Sequence, residues 1–480
     1  MKLVVALIAL VLAAGAIAVT APIVLDDEEK PHVSALEVPV QMTADPLTFA
    51  EGKTQAYERA AAFGLSHALF AKSPGGIIAS ARRTAAYREL IERAVSGSGL
   101  EADLVEAIVL LESAGRAEVI AGDDPANAAG LTQIVAGTAT DFLSMRVDLE
   151  DSRRLTRLID EAKSNGDSAT AARLRAERRD VDQRFDPEQA LAGTVRYLSE
   201  AKRVFGRDDL AVVSYHMGIG NLAGVLRAYA ASSDDPIDRV VRDGDLDYAK
   251  VYFDSSPDRH RGAWERLASL GDDSQTYYWR VLAAREIMSL YRDNPARLRQ
   301  LAGLHGRLPS AELVLHPPDL SRRYADVEQL DDAVAHGRLV PLGSGRDSHY
   351  TIDPALERAT RPLGNEGAGY RTLRPRALRL LRYLASTVYE ISGERRPLAV
   401  TRATYDEAVG STLTPPDPGA REHAGVHAGG YAFDVRRRYG SGAQAQAFQW
   451  ALERLQALGL ITWARGRAVI HVVVSPRASS

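Results

Sequence analysis

One carboxylic acid in the first half of the chain stands where acid–base chemistry is favoured. Leu104, Ile108 and Leu111 recur at helical spacing and predict a helix that ends near Gly115, with Glu112 just past the apolar stripe. Apolar neighbours and the negative end of a helix both disfavour a charged carboxylate. The pattern therefore predicts a raised pKa for Glu112, as protonation of a glycosidic oxygen requires.

A second set of reactive residues lies near the C-terminus. His427 and Asp434 are followed by His471, and strand patterns cover residues 431–435 and 468–474. Asp434 and His471 can then project from neighbouring strands toward His427 in the preceding loop. Two imidazoles and one carboxylate leave a tetrahedral position open, which is typical of a catalytic zinc site. A satisfied strand histidine and a capping aspartate are the alternatives.

The predicted helices and strands that would position these residues indicate a multidomain protein. A mainly α N-terminal domain precedes a small α+β C-terminal domain, with turn formers concentrated between them. The predicted segments are a signal peptide or membrane anchor (1–22), a linker (23–75), a helical domain (76–300) with an inserted helical hairpin (149–182), a second linker (301–367) and the α+β domain (368–480).

Composition and the N-terminal run narrow the compartment and the partners. Residues 3–19 are apolar or small, with one cation before them and four acidic residues after them, which predicts export. Cleavage of this segment and its retention as a membrane anchor both stay open. The net charge of -4 argues against nucleic-acid binding. Because cysteine is absent, histidine and carboxylate must hold any metal.

Four ordered blocks between about residues 85 and 230 carry a family resemblance. They are Glu112-Ser113, Gly130-Leu131-Thr132-Gln133-Ile134, Phe185-Asp186-Pro187 with Tyr197-Leu198, and Ser214-Tyr215-His216-Met217-Gly218-Ile219-Gly220-Asn221. Together they resemble the soluble lytic transglycosylase (SLT) family, which shares the goose-type lysozyme fold. The resemblance implies a lysozyme-like domain that cleaves the MurNAc–GlcNAc β-1,4 bond of peptidoglycan without a cofactor. The products would carry 1,6-anhydro-MurNAc ends.

The resemblance also implies a role for each matched residue. Glu112 would be the catalytic acid and base, and Tyr215 would orient it through a hydroxyl hydrogen bond. Ser113 and Gln133 would position the N-acetyl sugar, and Tyr197 would line the glycan cleft. The chain departs from the family pattern at four positions: Gly115, Thr132, His216 and Met217.

The C-terminal residues resemble a second family. His427-x-x-Gly430-x-Ala432-x-Asp434 and the later His471 are similar to the metal ligands of VanY-type zinc D,D-carboxypeptidases. The resemblance implies that Arg402 contacts a stem peptide. Ala468 stands where that family has its general-base glutamate, and Glu422 and Glu453 are the substitutes considered. We therefore expect a module that binds peptidoglycan stem peptides or cuts them.

Two other functions are compatible with the same residues. A non-catalytic peptidoglycan-binding scaffold would use both domains only for recognition. A lysozyme-type muramidase would need a second carboxylate, for which Asp123 and Asp124 are the candidates. The aromatic triplet Tyr277–Trp279 is interpreted as anchoring the core, with sugar stacking as the alternative. In each case the expected partners are glycan strands and stem peptides, and the expected location is the cell envelope.

Overall fold

The computed structural model describes residues 45–271, 273–308, 310–317, 321–343, 348–354, 356, 368–407 and 424–476. The predicted signal peptide or anchor at 1–22 lies outside this part of the chain. Among the residues described, no helix combines the length and the apolar character needed to cross a membrane.

Helices dominate the first two thirds of the described chain. They are α1 (Thr54–Leu65), α2 (His67–Lys72), α3 (Ile77–Ala85), α4 (Arg88–Val95), α5 (Ala102–Ser113), α6 (Leu149–Ser164), α7 (Ser168–Val181), α8 (Pro187–Phe205), α9 (Asp208–Met217), α10 (Ile219–Ala230), α11 (Ile237–Asp243), α12 (Tyr248–Asp254), α13 (Arg261–Ser269), α14 (Tyr277–Asp293) and α15 (Pro295–Arg307).

Helix α5 forms the centre of the helical part. Val105, Ala107, Ile108 and Val109 have no solvent-accessible surface, so the helix is apolar nearly all round rather than along one stripe. It packs lengthwise against α14. A helix enclosed in this way holds the residues at its C-terminal end in a fixed position.

The predicted hairpin at 149–182 is present as α6 and α7. Asp148 and Asp167 cap the two helices by accepting from the amides of Asp151 and Thr170. A small apolar core of its own joins the two helices, and it contains Leu155, Ile159, Ala162, Ala171 and Leu174.

The region 23–75 differs from the predicted linker in its described part. Helix α1 buries Tyr57, Ala60 and Ala61 and packs against α14 and the C-terminal helix. Gly64 allows this close approach, because a Cβ there would lie 2.2 Å from the carbonyl oxygen of Gln456. The alanine-rich composition that suggested a connector therefore serves tight helix packing.

The C-terminal part is built around a five-stranded sheet. Its elements, with those of the preceding region, are α16 (Ala311–Leu315), α17 (Val327–Ala335), β1 (Val340–Pro341), β2 (Tyr350–Ile352), β3 (Thr372–Leu373), α18 (Pro375–Ser392), β4 (Leu398–Arg402), α19 (Ala424–His427), β5 (Ala432–Arg436), α20 (Gly442–Ala457), β6 (Ile461–Arg465) and β7 (Val469–Val474). The sheet order is β2-β4-β5-β7-β6, and only β2 runs parallel to its neighbour.

The described part of region 301–367 also differs from the predicted linker. It supplies the edge strand β2, which pairs with β4 from Tyr350 to Ile352. Its helix α17 contributes Leu330 and Ala333 to a buried cluster with Tyr324, Tyr370 and Tyr405. Among the described residues of this region, Pro341 lies in β1, which pairs with β3.

Helix α20 joins the α+β part to the helical part. The Trp450 indole Nε1–H donates to the Ser255 carbonyl at 2.9 Å, and the buried guanidinium of Arg454 lies 3.6 Å from the Tyr252 ring centre. Both parts belong to one compact unit. The small domain is therefore packed against the helices through specific polar and cation–π contacts.

Two histidines at the junction of α2 and α15 predict acid sensitivity. His67 Nδ1 and His305 Nδ1 lie 2.9 Å apart, and the His305 ring stacks on Phe70. Burial lowers the pKa of His305 to about 3, with His67 adding to the effect. The native state then binds fewer protons than the unfolded state between pH 3 and 6.5, so stability falls as the pH falls through this window.

We expect this acid-dependent loss to be on the order of 4 kcal/mol, and smaller in His305→Phe. Urea unfolding at a series of pH values measures it. His336→Phe, which changes an exposed histidine, is the matched control. If the free energy of unfolding fell equally with pH in the wild type and in His305→Phe, His305 would not be the source of the acid sensitivity.

Candidate functional site

Glu112 lies at the last turn of α5, where the chain bends sharply. Ala114 ends the helix in the left-handed conformation, and Gly115 follows with φ +72°. A Cβ on Gly115 would lie 2.6 Å from the backbone of Arg83, so a larger residue does not fit there. The turn after Glu112 therefore requires glycine at position 115.

The Glu112 carboxyl group is held by a tyrosine from α14. The Tyr277 hydroxyl donates to Glu112 Oε1 at 2.7 Å. Burial raises the pKa of Glu112 to about 7, against the opposing effects of this hydrogen bond and of the Arg280 charge. Because the side chain keeps partial solvent exposure, it can exchange a proton with a bound molecule.

Tyr277, rather than Tyr215, forms the hydrogen bond that was predicted for Glu112. The Tyr215 hydroxyl donates to the Thr132 carbonyl at 2.8 Å and lies 3.1 Å from Thr194 Oγ1. Burial and the nearby Glu112 charge raise the pKa of Tyr215 above its usual range. Tyr215 therefore links the segment at Thr132 to α8 at Thr194, next to Glu112. Tyr277 is also almost fully buried, as its interpretation as a core anchor required.

The two predicted sugar-positioning residues stabilise the backbone around Glu112. Ser113 is buried, and its hydroxyl donates to the Val109 carbonyl within α5. Gln133 has a φ of 53°, and its amide donates to the carbonyls of Val119 and Gly130. Both side chains thus fix local turns, and their contact with an N-acetyl sugar stays a prediction.

A row of aromatic rings leads away from Glu112 toward the surface. Tyr277 faces Tyr215 with ring centres 6.4 Å apart, Tyr215 meets Tyr197 at 5.3 Å, and Tyr197 meets Phe142 at 5.6 Å. Phe142 is 47% exposed, whereas Tyr197 is buried and donates to the Ser214 carbonyl. Exposed aromatic faces suit the apolar faces of sugar rings. The sequence did not single out Phe142, because its short π-helical turn has no periodic signal.

The two carboxylates considered for a lysozyme-type reaction lie on the loop after α5. Asp124 pairs with Arg153 of the hairpin at 2.8 Å and accepts from the Ala126 amide, while Asp123 is exposed. The Arg153 interaction lowers the pKa of Asp124. Arg178 of the hairpin also pairs with Glu118 at 2.6 Å. The hairpin thus holds the loop that follows Glu112 through two ion pairs, one of which engages the Asp124 carboxylate.

The Tyr277 hydrogen bond makes a specific prediction for the pH profile. Tyr277→Phe removes a donor to the Glu112 carboxylate, so the pKa of Glu112 should rise and the alkaline limb of glycan cleavage should move to higher pH. The rate should fall roughly tenfold through poorer orientation of the acid. Tyr278→Phe is the matched control, because Tyr278 makes the same kind of bond to Glu58 at 2.8 Å. Equal profiles for the two variants would contradict the assignment.

The three C-terminal residues form a buried cluster. Asp434 lies opposite His471 across β5 and β7, and His427 ends α19. One ligand atom from each lies within 4.8 Å of the others. Asp434 Oδ1 is 2.6 Å from His471 Nδ1 and 3.2 Å from His427 Nε2. Although burial opposes ionisation, the two imidazoles keep the pKa of Asp434 well below its usual range.

Hydrogen bonding on the far side of His427 defines what this cluster can hold. His427 Nδ1 lies 2.8 Å from the Ala403 carbonyl, which can only accept, so Nδ1 carries the proton. In the neutral ring, Nε2 then presents a lone pair to the Asp434 carboxylate. A proton on Nε2 or a cation between the two atoms would each satisfy this pair. Two imidazoles and a carboxylate form a donor set that fits a zinc ion.

Arg402 and the candidate bases complete the surroundings of the cluster. Arg402 Nη1 lies 3.3 Å from Asp434 Oδ2, so Arg402 contacts the cluster directly. Glu453 lies on α20 and accepts from Gln449 of its own helix, while Glu422 lies outside the described residues. The contact between Arg402 and a stem peptide stays a prediction.

Comparison with known proteins gives one family match. The family model "Transglycosylase SLT domain" matches residues 166–237. The matched segment contains Tyr197 and Tyr215 and begins after Glu112. No curated protein matches the chain. The resemblance of the C-terminal part to zinc carboxypeptidases gains no support from these comparisons. Residues 166–237 are therefore similar to the transglycosylase SLT domain, a family whose activity is directed at the peptidoglycan of the cell wall.

Proposed function

We propose that the chain is a peptidoglycan lytic transglycosylase with Glu112 as its acid and base. The observation that carries the proposal is the Glu112 carboxyl group, which has a pKa of about 7 and accepts from Tyr277. At neutral pH a large share of this group holds a proton for transfer to a glycosidic oxygen. The SLT family match in the adjoining helices supports the same substrate.

The proposed reaction needs one carboxyl group and no water. Glu112 donates its proton to the glycosidic oxygen as the bond from that oxygen to the MurNAc anomeric carbon breaks. The substrate's N-acetyl oxygen stabilises that carbon. The MurNAc 6-hydroxyl then attacks it and returns its proton to Glu112, which forms the 1,6-anhydro ring. Asp124, the candidate second carboxylate, forms an ion pair with Arg153, and a two-carboxylate hydrolysis is the alternative route.

Mass spectrometry of the fragments released from purified peptidoglycan tests the proposal. Glycan ends lighter by one water than hydrolytic ends are the expected result. Ordinary reducing ends would instead indicate a lysozyme-type muramidase. Intact glycan together with co-sedimentation of the chain would indicate a non-catalytic scaffold.

The buried cluster supports a second proposal, for the C-terminal part. His427 Nε2, Asp434 Oδ1 and His471 Nδ1 would hold one zinc ion, and Arg402 would orient Asp434 and contact a stem-peptide carboxylate. A zinc ion in such a site polarises a carbonyl group or a water molecule. Because Ala468 replaces the family's base, we propose stem-peptide binding as the main role and peptide cleavage as the alternative.

The proposed location follows from the substrate. A chain that cleaves peptidoglycan acts in the cell envelope, and the apolar N-terminal run is the proposed export signal or membrane anchor. Protease protection of the full chain in sealed cells, with and without residues 1–22, tests this assignment. Retention inside the cell in both cases would contradict it.

A further inference from the structure

A buried glutamate from the region before the α+β domain lies beside the cluster. Glu312 is on α16 and is 4% exposed. Leu313 packs against a cluster that contains Val426 of α19 and Val473 of β7, and His316 Nε2 lies 2.7 Å from the Val474 carbonyl. These contacts fix α16 against the end of β7. Glu312 is thus held next to β7 by packing.

The Glu312 carboxylate faces one nitrogen of the His471 ring. Glu312 Oε2 lies 3.7 Å from His471 Nε2, while His471 Nδ1 lies 2.6 Å from Asp434 Oδ1. The 3.7 Å separation is an electrostatic contact rather than a hydrogen bond. His427 is oriented in a comparable way, with Nδ1 2.8 Å from the Ala403 carbonyl and Nε2 near Asp434. Each ring has one nitrogen directed into the cluster and the other near an oxygen acceptor outside it.

We propose that Glu312 is the positioning residue that holds His471 with its Nδ1 atom directed at the metal. The proposal rests on the proposed metal centre. A carboxylate near Nε2–H favours the tautomer in which the Nδ1 lone pair is free. It also fixes the ring plane and makes Nδ1 a stronger metal ligand. Ala403 does the same for His427 through a backbone carbonyl. Glu312 thus belongs to the metal centre although it lies far from the ligands in sequence.

Zinc affinity of the full chain, measured by competition with a chromophoric chelator, tests the proposal. Glu312→Leu removes the acceptor and should weaken zinc binding roughly 10- to 100-fold, with one ion still bound at saturation. Glu312→Gln keeps an acceptor oxygen and should lose less affinity. Glu328→Leu, which removes an exposed carboxylate from α17, is the matched control and should bind as the wild type does.

The nitrogen resonances of the His471 ring give a second readout that does not depend on the variants. In the zinc-bound wild type, the expected pattern is a protonated Nε2 and a metal-bound Nδ1. Metal on Nε2 would overturn the proposal even where Glu312→Leu does not fold. Wild-type zinc affinity in Glu312→Leu would overturn the role of Glu312 but not the metal centre. No zinc binding by the wild type would overturn both.

Discussion

Glu112→Gln is expected to abolish glycan cleavage, with a loss of roughly 1,000-fold or more in turnover. Glutamine keeps the size of the side chain and can still accept from Tyr277, but it cannot donate a proton of suitable acidity to the glycosidic oxygen. Because the proposed reaction has a single carboxyl group, no second acid can replace it. Release of soluble fragments from purified peptidoglycan measures the effect.

The stability of the same variant separates chemistry from folding. The pKa of Glu112 is raised from 4.5 to about 7, so the native state holds a proton that the unfolded state releases in this pH window. The native wild type is therefore destabilised as the pH rises through the window. Glutamine removes this cost, and the free energy of unfolding above pH 7 should rise by about 2 kcal/mol after allowance for partial exposure.

Glu58→Gln provides the matched control for both measurements. Glu58 is partly buried, accepts from Tyr278 and has a pKa raised by burial, as Glu112 does. It lies on α1 and has no role in the proposed chemistry. Full activity in Glu58→Gln and none in Glu112→Gln is the expected pair of results. Cleavage by a folded Glu112→Gln chain would contradict the assignment of the acid.

Removal of either histidine of the cluster is expected to abolish specific zinc binding. His427→Ala and His471→Ala each leave two donors, which are too few for a structural or catalytic zinc site. Zinc at about 100 times its dissociation constant should stabilise the wild type by about 2.7 kcal/mol, and this gain should disappear in both variants. Thermal unfolding with and without zinc measures the difference.

His336→Ala is the control for nonspecific zinc binding by histidine. His336 is exposed and lies 3.0 Å from Asp332, so it offers an imidazole and a carboxylate without the third donor. It should keep the full zinc-dependent gain. The proposed metal centre would be contradicted if His427→Ala kept the full zinc-dependent stabilisation. It would also be contradicted if zinc did not stabilise the wild type.

The regular elements around both sites could be predicted from periodicity, and their long-range partners could not. The apolar stripe that contains Leu104 and Ile108 predicted helix α5, and the alternation around Asp434 predicted β5. Tyr277 is 165 residues from Glu112, and only the packing of α14 on α5 brings its hydroxyl to the carboxylate. A local sequence pattern carries no information on such a distant contact. The family resemblance therefore favoured Tyr215 as the partner of Glu112.

The two predicted linkers illustrate a different limit. Alanine, glycine and proline were interpreted as connectors, but Gly64 permits a close helix contact and Tyr350 begins an edge strand. Glu312 was missed for the same reason, because it lies in a region dense in turn formers. Short elements that depend on tertiary packing leave little periodicity, and a few residues of a strand or helix are too few to define a period.

Cleavage of peptidoglycan in heavy-oxygen water distinguishes ring closure by the substrate from attack by water. The wild type is expected to produce new MurNAc ends without the label, because the ring closes through the substrate's own 6-hydroxyl. Glu112→Gln is expected to produce no new ends. Labelled reducing ends from the wild type would contradict this ring closure, because they require attack by water.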